Sequence, residues 1–524
     1  MTAFYITTAI EYANGEPHLG HAFEKIAADA IARFHRLRGD ADVRLLVGTD
    51  EHGQKVARAA SAAGLAPAEQ AERITTAFRA AWDALGISYD VFSRTTTPSH
   101  RAGVLALVDR ILARRPDAFY ERAYEGRYCV GCESFKTEHD LQGGRCPLHR
   151  GQAIERVSET NWFFRLSAFQ EDVARLLRER PDFVQPESRR NEVVSFVERG
   201  LEDVSITRAN LDWGIPFPLA SRSGAQQVIY VWFDALPNYL TAVGFPEPGW
   251  EARWPAQLHV VGKDITRFHC VIWPAILIAA GLPLPERVWA HGFVTVDGER
   301  LSKSAGVWVE LRDAIARHGP DALRYYLLRE IPFDGDGDFS WRRFDAHYAA
   351  DLANTLGNLA SRVTALVVRH CAGGAAAPPA PCAAATAEER ALAEREAAAL
   401  DGYVRAFESN RPHRALAALW DALAAGNELI SRTRPWELAS DPARRGELER
   451  TLGVLVRLLA RQAVLLAPVL PVKSEELWRT LGGPGSVHDQ RLGGLDHLDP
   501  TGWRVTRGAP LFPRAASQLT AAAK

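Results

Sequence analysis

Residues 4–50 read FYITTAIEYANGEPHLGHAFEKIAADAIARFHRLRGDADVRLLVGTD. Phe4 to Thr8 is short, aromatic and β-branched, and Asn14-Gly15 is a turn signal. Ala22 to Leu37 then sets Phe23, Ile26, Ala27, Ile31 and Phe34 at helical spacing. Val43 to Val47 reads as a buried strand ending at Gly48. Strand, loop, helix, strand predicts a parallel sheet covered by helices, where ligands gather at the carboxyl ends of the strands. His18, His21 and Asp50 all fall there.

Outward from this stretch the rhythm breaks and returns. From Tyr124 to about Arg156 the pattern dissolves into Cys, Gly and His, which reads as a metal-organised insertion. Val228 to Phe233 and Leu258 to Val261 are strand-like, Ile265 to Ala279 is helix-like, and Val288 to Val296 is extended, leading into an Asp297-Gly298-Glu299-Arg300 turn. Beyond Asp345 nearly everything has helical period. Leu416, Leu419, Leu423 and Ile430 share one face, as do Leu448, Leu452, Leu455 and Leu459, which predicts an antiparallel bundle. Ala372 to Ala385, mostly Gly, Ala and Pro with one Cys, is a low-complexity loop with no function assigned. The expected architecture is α/β: a Rossmann-like parallel-sheet catalytic domain split by a zinc-knuckle connective insertion, followed by an all-α helix bundle. Its expected segments are 1–115 and 223–330 (the two catalytic halves), 116–222 (insertion), 331–365 (connection), 366–514 (helical domain) and 515–524 (tail).

Composition sets the outer limits. A chain of 524 residues has room for several cores, and 47% hydrophobic with 24% charged residues is ordinary for a globular protein. Lys plus Arg (62) nearly balance Asp plus Glu (64), which excludes a carpet of positive charge while leaving room for a local basic groove. No signal peptide or clean apolar run of ~20 residues is visible, and six cysteines are too few for a disulfide framework. A cytoplasmic enzyme with one metal site and no membrane contact is expected.

Three motifs carry chemistry. Cys129-x2-Cys132, thirteen residues, then Cys146-x2-His149 offers four ligands to a tetrahedral Zn²⁺; with four protein ligands the site is closed and structural. His139 is the rival fourth ligand, but His149 mirrors the first pair. Pro17-His18-Leu19-Gly20-His21 follows a strand and opens a helix. Two imidazoles there, with Gly20 allowing close approach, suit phosphate oxygens that gain charge, although a His pair at a helix start is often only a cap. Arg300-Leu301-Ser302-Lys303-Ser304 places a Lys between small hydroxyl residues in a loop that can fold over a triphosphate. There is no Gly-x-x-x-x-Gly-Lys phosphate loop.

The two signatures, in this order in the two halves of a split sheet, resemble those of the class I aminoacyl-tRNA synthetases, and among them the methionyl-tRNA synthetases. His18-Leu19-Gly20-His21 is similar to His-Ile-Gly-His. Arg300 to Ser304 is similar to Lys-Met-Ser-Lys-Ser, with Arg for Lys and Leu for Met. The resemblance runs nearly end to end, through Gly48-Thr49-Asp50-Glu51-His52-Gly53, Tyr230 to Leu236, Gly262-Lys263-Asp264-Ile265, Phe268-His269, Gly337 to Ser340, Gly357-Asn358-Leu359 and Arg434-Pro435-Trp436-Glu437-Leu438. It implies methionine activation by ATP, with Mg²⁺, to an adenylate and pyrophosphate, then transfer to tRNA(Met).

The same resemblance implies site residues. Asp50 would hold the methionine ammonium, and Ala9, Ile10, Tyr12, Trp232, Ala235, Leu236, Tyr239, Ile265, Phe268 and His269 would surround its side chain. ATP would lie between His18, Gly20 and His21 on one side and Arg300 and Lys303 on the other, with His18, His21 and Lys303 stabilising charge. Asn358, Arg362 and Trp436 would read the anticodon; Arg432 and Arg434 have no settled role. Arg300 changes the geometry of a cation, Leu301 conserves volume, and Glu11 stands where Pro or Tyr is expected. A synthetase for Leu, Ile or Val would carry a large editing insertion, whereas only 278 residues separate His21 from Arg300. A non-catalytic paralogue would have lost His18, His21, Asp50 or Lys303, and a duplicate resistant to an inhibitor would catalyse the same reaction. The chain stops at Lys524 soon after Phe512, with no further dimerisation domain, so a monomer is expected.

Overall fold

The computed structural model describes residues 3–129, 134–136, 138, 141–147, 153–222, 224–300, 307–371, 374 and 385–513. Seven strands form one sheet: β1 (Ala3–Thr8), β2 (Glu11–Tyr12), β3 (Asp42–Asp50), β4 (Val91–Arg94), β5 (Val184–Gln185), β6 (Leu258–Gly262) and β7 (Val288–His291). Their order is β2-β3-β1-β6-β7-β5, with β4 also on β3. Every pairing is parallel, as the strand, helix, strand reading requires. The order reverses between β1 and β6, which pair Ile6 with Leu258 and Thr8 with Val260. That switch point opens a crevice at the carboxyl ends of both strands.

Helix α1 (Leu19–Arg38) crosses from β1 to β3. It begins three residues before the apolar period does, because its start is fixed by a cap at His18. Phe23, Ile26, Ala27, Ile31 and Phe34 are all fully buried. The helix ends at Gly39, whose φ of 97° satisfies the last carbonyls.

Three expected elements differ. Val228 to Phe233 is a strand only over Val228–Ile229, paired antiparallel with Thr207–Arg208; Val231–Ala235 turns helical. Ile265 to Ala279 opens with a π-helical turn, Phe268–Ile272, before the α-helix Trp273–Ala280. Val288 to Val296 is interrupted after His291, and Val294–Val296 joins a separate three-stranded sheet with Glu299–Arg300 and Gly337–Phe339. The insertion is more ordered than its composition indicates: Ser134–Lys136, Phe119–Cys129, Glu155–Phe164 and Val204–Ser205 form an antiparallel sheet in that order. Val184–Gln185, inside the span expected for the insertion, is the edge strand β5 of the catalytic sheet.

The C-terminal part is helical as expected, with Asn358–His370, Ala387–Glu408, Pro412–Thr433, Arg445–Leu466 and Pro471–Leu481 as its principal helices. Both leucine faces are buried. Arg324, fully buried, locks this part to the catalytic sheet's helix: it donates to the Val469 (2.8 Å), Pro468 (2.9 Å) and Leu85 (3.3 Å) carbonyls and to Asp29 Oδ2 (2.7 Å). Among the described residues no helix is long and apolar enough to cross a membrane.

Candidate active site

A cavity of about 2500 Å³ opens at the switch point and extends under the insertion. Its catalytic end is built first by His18. With extended backbone (φ −136°, ψ 174°), His18 caps α1, its Nδ1 accepting from the Gly20 (3.1 Å) and His21 (3.4 Å) amides. His21 Nδ1 in turn accepts from the His18 amide at 3.4 Å, and the two rings stack with centroids 3.6 Å apart. Because both Nδ1 atoms accept, each imidazole carries its proton on Nε2. Burial, with the Lys25 ammonium nearby, lowers the His21 pKa to about 3, so this ring is a neutral donor. Gly20 is required beside it, since a Cβ there would lie 3.0 Å from His18 Cε1.

The second signature arrives from β7. Val294–Val296 and Glu299–Arg300 form a hairpin whose turn, Asp297-Gly298, has φ of 52° and 78°, the positive pair that an Asp-Gly turn supplies. Asp338 Oδ1 pins it, accepting from Thr295 Oγ1 (2.9 Å) and the Gly298 amide (2.8 Å). The Arg300 side chain and residues 301–306, hence Lys303, lie outside the described residues. The chain beyond them returns onto the first signature: Glu310 forms a bridge with His18, and the Trp308 ring sits edge-on to the His18 ring at 5.6 Å.

Every residue expected around methionine lines this cavity: Ala9, Ile10, Tyr12, Asp50, Trp232, Ala235, Leu236, Tyr239, Ile265, Phe268 and His269. Trp232 stacks on Phe268 with centroids 3.8 Å apart and planes 10° apart, and Tyr12 meets Trp232 edge-on at 6.3 Å. His269 Nδ1 donates to the Ile265 carbonyl (3.0 Å), so its Nε2 accepts from the Tyr239 hydroxyl at 2.7 Å. Burial lowers the His269 pKa to about 4, in keeping with that neutral ring. Asp50, at the end of β3 opposite Tyr12, is buried at the wall. The sequence reading missed Glu24, Lys25 and His291, charged or titratable groups buried against this wall; the only signal was a Glu-Lys pair within an apolar helix.

At the two remaining sites the placement is partial. Cys129 ends a strand and Cys146 follows a turn at Gly143-Gly144, both sulfurs buried, while Cys132, His139 and His149 lie outside the described residues. In the helical domain Asn358 and Arg362 stand one turn apart, the Arg362 guanidinium 5.9 Å from the Trp436 ring centre. Trp436 is 47% exposed, carried by Pro435 after Arg434, whose φ is 47°. Arg432 pairs with Glu428 (2.6 Å) and Arg434 with Glu437 (3.0 Å).

Comparison with known proteins agrees with this geometry. The family of tRNA synthetases class I (M) matches residues 4–156 and 140–364, and the anticodon-binding domain of tRNA ligase matches 390–499. The methionine–tRNA ligase of Streptomyces coelicolor is 41% identical over 98% of this chain and 96% of its own; that of Nostoc is 43% identical over 91% and 90%. A structure of Mycobacterium tuberculosis methionyl-tRNA synthetase in complex with methionyl-adenylate superposes with a TM-score of 0.92, at 39% identity, over 98% of this chain and 100% of that one. The chain therefore belongs to the methionine–tRNA ligase family of class I aminoacyl-tRNA synthetases.

Proposed function

We infer that the cavity divides the family's reaction among its residues as follows. The chain is an ATP-dependent ligase that joins methionine to tRNA. Asp50 pairs with the substrate ammonium, and the Trp232, Phe268 and Tyr12 rings with Ile10, Ala9, Ala235, Leu236 and Ile265 enclose the thioether, which gains from aromatic contact. The Tyr239 and His269 pair closes the far end. The methionine carboxylate attacks the α-phosphorus of MgATP in line; the P–O bond to pyrophosphate breaks and pyrophosphate leaves. A ribose hydroxyl of the terminal adenosine of tRNA then attacks the aminoacyl carbonyl, and AMP leaves.

The protein's share is positioning and charge stabilisation. His18 and His21 direct Nε2–H groups at phosphate oxygens over the helix N-terminus, and Lys303 with Arg300 neutralises the leaving pyrophosphate. Asn358, Arg362 and Trp436 take the anticodon, the exposed indole stacking on an unpaired base. Cys129, Cys132, Cys146 and His149 suit zinc by their soft donor chemistry, and the Cys129 and Cys146 side chains are buried; bound zinc would brace the insertion. The enzyme works as a monomer in the cytoplasm.

The observation that supports this division best is the contact of Trp308 and Glu310 with His18, which brings the chain just after the second signature to the first signature and the cavity. Pyrophosphate exchange into ATP, measured with each amino acid separately, tests it. Exchange is expected with methionine alone, and Asp50→Asn should raise the methionine KM far more than the ATP KM. Equal changes in both would refute the assignment of Asp50.

A further inference from the structure

The cavity wall contains a charged cluster to which the reaction above assigns no role: Glu11, Glu24 and His291 line the cavity, and Lys25 lies behind them. Lys25, on α1 among Ala22, Phe23, Ile26 and Ala27, has no exposed surface. Its ammonium donates to the Ala9 carbonyl (2.8 Å) and to Glu24 Oε1 (2.7 Å) and forms an ion pair with Glu11 Oε1. Ala9 lies where the chain leaves β1 for β2, a stretch in which its carbonyl faces α1 and not a neighbouring strand. Glu24 Oε2 reaches on to His291 Nε2 at 2.8 Å, and His291 ends β7, the strand that leads to the second signature. Glu11 Oε2 stands 3.7 Å from His21 Nε2.

Burying a lysine and two carboxylates carries a desolvation cost that apolar residues at positions 11, 24 and 25 together would avoid. What the cluster secures is geometry. Lys25 has no exposed surface and is not part of the cavity lining, so it does not touch substrate. We propose that Lys25 is a positioning residue for the amino-acid substrate, clamping the Ala9 carbonyl and Glu11 so that the Ala9–Tyr12 wall keeps the contour that fits methionine. This rests on the assignment of that wall to methionine made above. Release of the clamp lets Ala9 and Ile10 relax, and the pocket loses its fit to the thioether before it loses its hold on ATP.

The test uses the full chain in methionine-dependent pyrophosphate exchange, varying methionine and ATP in turn. Lys25→Met is expected to raise the methionine KM by about tenfold, with kcat at saturation and the ATP KM each within about threefold of the parent, and to weaken discrimination against norleucine. Glu24→Gln, which keeps the shape and one acceptor, guards against a Lys25→Met chain that fails to fold; it should raise the methionine KM by about threefold in the same sense. A folded Lys25→Met or Glu24→Gln chain whose methionine and ATP KM values stay at the parent's, or rise together, would overturn the proposal and leave a structural ion cluster. Trp232→Ala serves as the reference: an unchanged methionine KM there would overturn the pocket assignment itself, a failure distinguishable from that of the clamp.

Discussion

His18→Asn separates the capping role of one ring from the catalytic role proposed for it. Structurally, His18 Nδ1 accepts from the Gly20 and His21 amides at 3.1 and 3.4 Å. An asparagine Oδ1 is a good cap acceptor, so folding stability should change by less than about 0.5 kcal/mol, whereas His18→Ala should lose about 1 kcal/mol. Catalytically, asparagine cannot present the outward Nε2–H. Losing one preorganised donor to charge that develops on phosphate costs about 3–4 kcal/mol, a fall of roughly 10²–10³ in exchange rate. Denaturant unfolding and pyrophosphate exchange on the same preparations read the two effects independently. His18→Asn should be stable and slow, and His18→Ala less stable and equally slow. An exchange rate within about fivefold of the parent in the Asn variant would show that the ring is only a cap. The pH dependence supplies a second check through His21. Its pKa is lowered from 6.5 to about 3, so the stability it contributes is fully present above about pH 6.5 and is lost as pH falls toward 3. Because His21 acts as a neutral donor, its titration should cause no loss of activity between neutral and mildly alkaline pH.

Lys303→Ala should slow adenylate formation by about 10²-fold or more while leaving methionine binding, followed by intrinsic fluorescence, nearly unchanged; equal losses would contradict a role at the leaving pyrophosphate. Trp436→Ala should raise the KM for tRNA by about tenfold, since base stacking is worth ~1–3 kcal/mol, with exchange in the absence of tRNA intact. Burial alone would raise the Asp29 pKa, yet Arg33, Arg324 and Ser88 together pull it to about 2. Asp29→Asn, which leaves Arg324 buried without its carboxylate, should therefore cost about 3 kcal/mol above pH ~4, a deficit that shrinks as pH falls through 2. Cys146→Ser should lower bound zinc from one ion per chain toward none by elemental analysis; unchanged zinc would remove Cys146 from the donor set.

How far each feature could be read from the sequence depends on whether its cause is local. Helix α1 was legible because Phe23 to Phe34 carry its period and the His18-to-His21 motif marks its opening, although the apolar period alone starts only at Ala22 and the cap is a histidine where Ser, Thr, Asp or Asn is the usual signal. The strand pair Phe119–Cys129 and Glu155–Phe164 escaped notice because its register spans the cysteine segment, a long-range pairing no short window contains. Val228 to Phe233 read as strand-like from its aromatic and β-branched residues, but only Val228–Ile229 finds a strand partner and the next turn coils to aim Trp232 at Phe268. The residues proposed for methionine came from short motifs, and all of them line one cavity. Lys25 was invisible because its partners come from residues 9, 11 and 24, two of them across the first turn of the chain.

The cap observed at His18 and His21 and the catalytic role proposed for them are not competing explanations of the same residues. A free imidazole exchanges its proton between two nitrogens, and a phosphate donor is useful only while Nε2 holds it. The amides of Gly20, His21 and His18, all at the start of α1, donate to the two Nδ1 atoms and so exclude protons from them. The bonds that begin the helix are the bonds that fix the tautomer. Stacking at 3.6 Å then leaves the two donors side by side, and the low pKa of His21 keeps that face uncharged until phosphate arrives. A substitution that spares the cap but reverses the tautomer would therefore fail in catalysis with the fold intact, and one that spares the donor but loses the cap would lose both.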